Sequence, residues 1–334
     1  MRVSALTEQI TEAQAKILKE LLADGRKPET EIAKTLGLTK ETVQKNYLQM
    51  KKMGIITGAT IHINYKSFGY KAVAHVLINV DPEQEDSFVE HLRQMPEVYS
   101  FYKRGVKGNL DAVVILKTLE QLHEIKDSIK KSFSILKMKT AIWTDVKEMN
   151  DNLAIIPDDA KKIRTVIQEK VKKERTNSQT IAIDKIDQKI ADKLAEDGQI
   201  SMDVLSKELG VSSKTAKRRY EKLKKNGVLK VTIQINPRLI GYQAMCVFFT
   251  STADEKSYSV TDKVSLIPNV ISVMKTSGDY DLQIWAMVQN IDQLLYIQEQ
   301  IGKISGISKI ETEILRLSDQ WFKWPSPRQY ISTF

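Results

Sequence analysis

A single cysteine, Cys246, stands among 334 residues, so no disulfide framework can form within the chain. Its place in the apolar run AMCVFF marks it as a small core side chain rather than a reactive thiol. Histidine is nearly as scarce: His62, His75, His91 and His123 all fall in the first half and share no ligand spacing. His75 alternates within a strand pattern and is read as structural. No apolar run approaches the ~20 residues that cross a bilayer. The N-terminal MRVSALTEQITEAQ lacks the apolar stretch of a secretion signal. The expectation is a cytoplasmic protein without a membrane partner. A Gly-rich phosphate loop, a paired-cysteine metal signature and a nucleophile elbow are also missing. The reading therefore assigns no catalytic residue, no metal ligand and no cofactor.

What is present is charge and enough apolar material for packed cores. Lys and Arg total 51 against 42 Asp and Glu, a net charge of +9, with 42% hydrophobic residues. A chain of this length exceeds what one core usually organises. The basic balance favours polyanionic partners, which release counterions on contact.

The chain repeats itself. ILKELLADGRKPETEIAKTLGLTKETVQKNYLQMKKMGII from Ile17 aligns without a gap with IADKLAEDGQISMDVLSKELGVSSKTAKRRYEKLKKNGVL from Ile190, an offset of 173. The match continues with small length changes: SFGYKA at Ser67 with LIGYQA at Leu239, MPEV at Met95 with IPNV at Ile267, and VKGNLD at Val106 with TSGDYD at Thr276. A repeat this long reports duplication of a whole two-domain unit rather than a solenoid. Between the copies, Asp158 to Gln179 carries Ile163, Val166, Ile167 and Val171 at helical spacing and reads as a charged linker helix. Its basic cluster from Lys170 to Arg175 is read as a solvated face, with DNA contact as the alternative.

In the second copy, Ile183, Ile186, Ile190 and Leu194 share one helix face, and Gly198 is taken as a C-cap. The helix MDVLSKEL ends at Gly210, Ser212 N-caps a third helix, and Val228 to Ile235 alternates as a strand expected to close a wing hairpin. Helix, helix, turn, helix and strand is the order of a winged helix-turn-helix. From Val211 to Lys230 eight Lys or Arg face one acid, Glu221. Ala216, Tyr220 and Leu223 recur at inward spacing, leaving basic side chains outward on the helix that this fold presents to the major groove. The DNA-binding candidates are Ser212, Ser213, Lys214, Thr215, Lys217, Arg218, Arg219, Lys222, Lys224 and Lys225. Ser213, Lys214 and Lys217 are assigned to bases, and Lys222, Lys224 and Lys225 to phosphates. Arg219 has a second reading, as a buttress on a backbone carbonyl or an acid. The first copy contributes Thr39, Lys40, Thr42, Gln44 and Lys45, but holds four Lys and one Glu from Leu38 to Thr57, so its electrostatic part is smaller. The two heads either read different half-sites or the first serves position and structure.

After Gly241 the periodicity becomes β-α-β-β-α-β, and the first copy repeats that order from Ala72 to Thr144, which folds as a ferredoxin-like sheet with helices on one face. The fold expected is α+β: two tandem copies of a winged helix-turn-helix plus a ferredoxin-like sensing domain. The pattern DGxxSxxxLxxxLGVSxxT, with LKKNGVL, the IGY junction and the SGDYDL turn, resembles the Lrp/AsnC or feast/famine regulators over nearly the whole chain, twice. That resemblance implies a transcription regulator acting on double-stranded DNA, pairing of sheet domains as an intramolecular pseudo-dimer or a homo-oligomer, and an amino-acid or metabolite effector between sheet domains. It places Gly278, Asp279, Tyr280 and Asp281 at the effector pocket. The same residues also suit a plain hairpin turn. In the first copy the turn is KGNLD, with Gly108, Asn109 and Asp111, so one asymmetric pocket, or none, is expected.

The divisions expected are 1–60 and 181–236 for the helix-turn-helix units, 61–156 and 237–318 for the sheet domains, 157–180 for the linker and 319–334 for an aromatic tail. The tail clusters Trp321, Phe322, Trp324 and Tyr330 and is read as packing on its own sheet domain or on an oligomer contact, with binding of another transcription component as the alternative. Two rival functions stand beside the regulator. Siroheme decarboxylases resemble the same domain pair and perform tetrapyrrole chemistry, and a sensor or scaffold could use the helix-turn-helix for assembly alone.

Overall fold

A computed structural model describes residues 10–149, 152–155, 183–253, 257–317 and 321. The expected linker helix and the tail apart from Trp321 lie outside the described residues. The first head is α1 (Glu12–Ala23), α2 (Glu29–Leu36), α3 (Lys40–Lys52) and β1 (Ile56–Ile63). Thr11 caps α1 in a reciprocal box with Gln14, which satisfies amide donors that the first turn leaves open. The buried stripe Ile17, Leu18, Leu21 and Leu22 turns that helix onto Ile32, Val43 and Met50. The first sheet unit follows as β2 (Ala72–Val80), α4 (Glu85–Gln94), β3 (Val98–Lys103), β4 (Asn109–Leu116), α5 (Glu120–Ser132) and β5 (Ile135–Glu148).

The second head is α6 (Lys185–Glu196), α7 (Met202–Leu209), α8 (Ser213–Lys225) and β6 (Leu229–Ile235). The second sheet unit is β7 (Ala244–Thr252), α9 (Ser257–Val264), β8 (Val270–Ser277), β9 (Leu282–Val288), α10 (Ile291–Gly302) and β10 (Ile307–Arg316).

The wing differs from the expected hairpin. Among the described residues each head has one strand, and β6 finds its partner in β1 of the other copy, antiparallel from Ile56↔Ile235 to Ile63↔Leu229. A lone strand has no hairpin partner of its own, so the backbone donors of each are satisfied across the copies. Further bonds fasten the heads together: Gly25 N–H to Val231 O and Gly198 N–H to Ala59 O, each 2.9 Å, and the Arg26 guanidinium to Gly198 O and Ile200 O. Gly25 and Gly198 are equivalent in the repeat, and a Cβ on either would lie 2.8 Å from backbone of the facing strand. Gly198 is therefore required for close approach. It is not the helix cap expected, since Asp197 caps α6 and Gly198 is absent from the glycines with positive φ.

The eight sheet strands run β10-β7-β9-β8-β5-β2-β4-β3, two four-stranded ferredoxin-like units joined edge to edge at β5 and β8. The outer strands meet again at a bridge between Arg104 and Leu315, so the inner faces oppose one another around Leu77, Trp143, Phe249, Met274 and Trp285. Helices cover the outer faces, where alternate residues such as Val76 and Ile78 pack on Phe88 and Ile125, and Cys246 and Phe248 on Ile297.

The strand register corrects one detail of the repeat. Ala72 pairs with Leu116 and Leu77 with Asp111, while their counterparts Ala244 and Phe249 pair with Val288 and Gln283. Asp111 thus occupies the place of Gln283, and Asn109 that of Asp281, two residues from the pairing suggested by the similar turns.

Candidate nucleic-acid interface and inter-sheet cavity

Helix α8 is built to present one basic face. Ser212 accepts from the Thr215 amide and starts it, and Ala216, Tyr220 and Leu223 bury its inner side. Lys214, Lys217, Arg218, Lys222 and Lys225 are exposed and carry no ion pair among the described residues. Three expected DNA contacts have other partners. The Arg219 guanidinium donates to Asp184 at 2.7 Å and Asp187 at 2.8 Å, the two acids of the α6 capping box, which is the buttress reading. The Asp187 amide, then Arg219, holds the Asp184 carboxyl below its usual range. Lys224 pairs with Asp24 of the first head at 2.8 Å, so its charge serves the junction between heads. The Ser213 hydroxyl donates to Asp203 at 2.6 Å, which ties α8 to α7.

Helix α3 has the same construction and different chemistry. Thr39 accepts from the Thr42 amide, Val43 and Met50 are buried, and Lys40, Gln44 and Lys45 are exposed. Leu48 is 57% exposed where the second head has Glu221.

Between the sheet units lies a cavity of about 220 Å³ with walls from both copies: Arg104, Lys137, Lys139 and Thr140 on one side, and Phe249, Asp279, Tyr280, Glu311 and Glu313 on the other. The Tyr280 hydroxyl donates to Glu311, and the ammonium groups of Lys139 and Lys309 lie 5.7 and 5.6 Å from the centre of its ring. Burial first, then Glu311, pushes the Tyr280 hydroxyl well up, while Lys309 and Tyr280 hold the Glu311 carboxyl down. Gly278 has φ +147° and its absent Cβ would lie 3.0 Å from Thr140 O, so glycine is required there on both counts. Asp281 is spent otherwise: its carboxylate accepts from the Thr252 amide and hydroxyl, which closes the end of β7.

Behind the cavity a chain of charges enters the core. Arg104 bridges Glu313 at 2.9 Å and Asp111, and Asp111 lies 3.2 Å from His75, both wholly buried. Burial, then the Asp111 charge, pushes the Glu313 carboxyl up.

Three family models match: an AsnC-type helix-turn-helix domain over residues 183–224, a Lrp/AsnC ligand binding domain over 245–316, and a winged helix-turn-helix DNA-binding domain over 10–57. The HTH-type transcriptional regulator LrpA of Pyrococcus horikoshii is 30% identical over 131 residues, 38% of this chain and 92% of the relative. The chain belongs to the Lrp/AsnC family. The HTH-type transcriptional regulator FL11 of Pyrococcus furiosus is 29% identical over 134 residues, 40% of this chain and 89% of the relative. Each relative therefore corresponds to less than half of this longer Lrp/AsnC chain. Among solved structures, the siroheme decarboxylase NirDL matches 91% of this chain and 90% of its own, with TM-score 0.60 and 14% identity. That likeness shows the α+β fold across both copies. The protein is a DNA-binding transcription regulator of the Lrp/AsnC family, like the regulators it matches.

Of the four residues that the resemblance assigns to an effector site, Asp279 and Tyr280 line the cavity, Gly278 shapes its turn, and Asp281 serves strand β7. Sequence reasoning missed Arg104, Lys137, Lys139, Glu311 and Glu313. The pairs Lys137/Lys139 and Glu311/Glu313 alternate along their strands and so share a face. That signal was readable, but which strand faced which was not. Among the described residues no group of three or more His, Cys, Asp or Glu is placed to hold a metal, and no described helix is long and apolar enough to cross a membrane.

Proposed function

We infer that this regulator reads DNA chiefly through α8, with α3 as its weaker partner, and that a small metabolite held between the sheet units tunes that binding. The observation that carries the reading is the row of five cations exposed on the outer face of α8 and without an ion pair among the described residues. In the major groove Lys214, Lys217 and Arg218, near the helix start, meet base edges, and Lys222 and Lys225 meet phosphates. Ser212 and Thr39 cap their helices by accepting from the Thr215 and Thr42 amides, and the remaining first-turn amides lie where the phosphate chain would pass. The contacts between heads supply within one chain the pairing that a homodimer would supply, so the functional unit is an intramolecular pseudo-dimer.

The cavity brings three cations, Arg104, Lys137 and Lys139, against three acids, Asp279, Glu311 and Glu313. This balance suits a zwitterion such as an amino acid or a related metabolite. Its volume of about 220 Å³ lies below the roughly 300–1,000 Å³ typical of drug-sized ligands.

The test is a salt titration of binding to a selected duplex and to a scrambled one, for wild type and for Lys217→Ala/Arg218→Ala. A preference for the selected duplex that the double variant loses supports the reading. Equal, weak binding to both sequences overturns it. The second reading, tetrapyrrole decarboxylation, has the whole-chain fold in its favour and predicts carboxyl loss from a siroheme-type substrate, which mass spectrometry would detect.

A further inference from the structure

We propose that the DNA target is a single asymmetric site, an A·T half met by α3 and a G·C half met by α8, held at one fixed spacing. This rests on the reading that both helices face DNA, and it adds what each half of the duplex must be.

Two observations carry it. The first is mechanical: the heads are joined by the β1–β6 ladder, by the Gly25 and Gly198 amides on the facing strands, and by Arg26 and the Lys224–Asp24 pair. The two reading helices therefore keep one relative pose, which fixes the separation of the half-sites. A homodimer places two identical readers about a two-fold axis and selects a palindrome. Here the two readers are unlike, so the same geometry selects unlike halves.

The second observation is chemical. At equivalent places on the two helices stand Gln44 and Lys217, Lys45 and Arg218, and Leu48 and Glu221, all of them exposed. A glutamine amide both donates and accepts, which fits adenine N6 and N7, whereas Lys217 and Arg218 only donate, which fits guanine O6 and N7; Lys45, a donor only, is assigned to a phosphate beside the A·T half. Leu48 offers only apolar contact, and the apolar feature of the major groove is the thymine methyl. Glu221 accepts from cytosine N4, on the strand opposite a guanine held by Arg218. The fold does not demand an apolar side chain at the Leu48 position, since the same place in the second head carries a carboxylate.

The experiment is selection from a random duplex library by the full-length chain, repeated with Gln44→Ala, Leu48→Ala and Arg218→Ala. The expected result is an enriched site with unlike halves at one spacing. Gln44→Ala and Leu48→Ala should relax the A·T half alone, and Arg218→Ala the G·C half alone, each by about 5- to 150-fold in base preference. All three side chains are exposed, and melting curves matching wild type would show the folds intact. An enriched palindrome, variable spacing, or variants that relax the same half would overturn the asymmetric site while leaving DNA reading in place. No enriched sequence at all would overturn DNA reading itself.

Discussion

Replacing Gly25 by Ala tests the junction between heads most directly. The new Cβ would stand 2.8 Å from Thr232 C and 3.0 Å from Ile233 N and Thr232 Cα, all backbone, so no side chain can swing aside. Strand β6 must move, and it is held by its ladder to β1 and by the Thr232 hydroxyl on Leu22 O. Overpacking of this kind costs about 1–3 kcal/mol. Stretching the Gly25 N–H to Val231 O bond, now 2.9 Å, adds about 0.5–1.5 kcal/mol. A total near ~2.5 kcal/mol, at about 4–8 °C per kcal/mol for a unit the size of the paired heads, lowers their melting transition by roughly 10–20 °C. Gly198→Ala should match it, with contacts of 2.8 and 2.9 Å on Thr60 N and Ala59 C. The double variant should cost less than the sum, because Thr60 and Thr232 are partners in one rung. Gly302→Ala is the control: its Cβ would meet Ile310 Cδ1 at an ordinary 3.6 Å, and φ there is not positive. Scanning calorimetry reads all four. A Gly25→Ala transition within about 2 °C of the control would refute the joined heads, since that geometry has no room for the methyl.

Four further outcomes follow from the same geometry. Lys222→Ala should flatten the log-log salt dependence of binding by about one unit, while an unchanged slope would remove Lys222 from the phosphate contacts. Arg219→Met should lower the stability of the second head by leaving the buried Asp187 carboxylate without its partner, and Asp187→Asn in the same background should recover part of the loss in urea unfolding. Glu313 has a folded-state carboxyl raised above its ordinary 4.5, so the folded protein holds more protons than the unfolded chain in that window and stability falls as pH rises through it. The stability of wild type minus that of Glu313→Gln should decline from pH 4.5 upward, and a flat difference would refute the buried position of that carboxyl. Cys246, wholly buried with its thiol pushed up to about 12, should resist alkylation at pH 7 until urea opens the sheet; prompt labelling of folded protein would contradict its place in the core.

How much of this was legible in the chain depends on the range of the interaction. Capping and periodicity are local, and the third helix of the second head could be read at its cap Ser212 because one turn of backbone decides it. The inward stripe Ala216, Tyr220 and Leu223 could be read for the same reason. Strand pairing is not local, since an alternating strand shows which face is apolar but not which edge it meets. The alternation of Val228 to Ile235 therefore suggests half of a hairpin, whereas its partner is β1, more than 160 residues earlier. Glycine misled in the same way. Gly198 follows a helix, which is what a cap glycine does, but its real constraint is the backbone of a strand from the other copy.

The site shows the same division between charge and partner. Composition located the cations of α8 and could not separate Lys222, exposed at the surface, from Lys224, spent on Asp24 of the other head. The same holds for Arg218 and Arg219, adjacent in sequence and turned to opposite duties by one step of about 100° around the helix. In the sheet units the similar turns VKGNLD and TSGDYD invited a residue-for-residue match, and the ladders displace it by two. That displacement removes Asp111 from the turn and places it in the interior between His75 and Arg104. A charge there needs its partners brought in from β2 and from the end of β3, and Glu313 on β10 completes the row from the other copy. The duplicated chain has thus become asymmetric at two levels, in the side chains on its reading helices and in the charges between its sheets. Both asymmetries can persist because one covalent chain, unlike a homodimer, can vary its two halves separately.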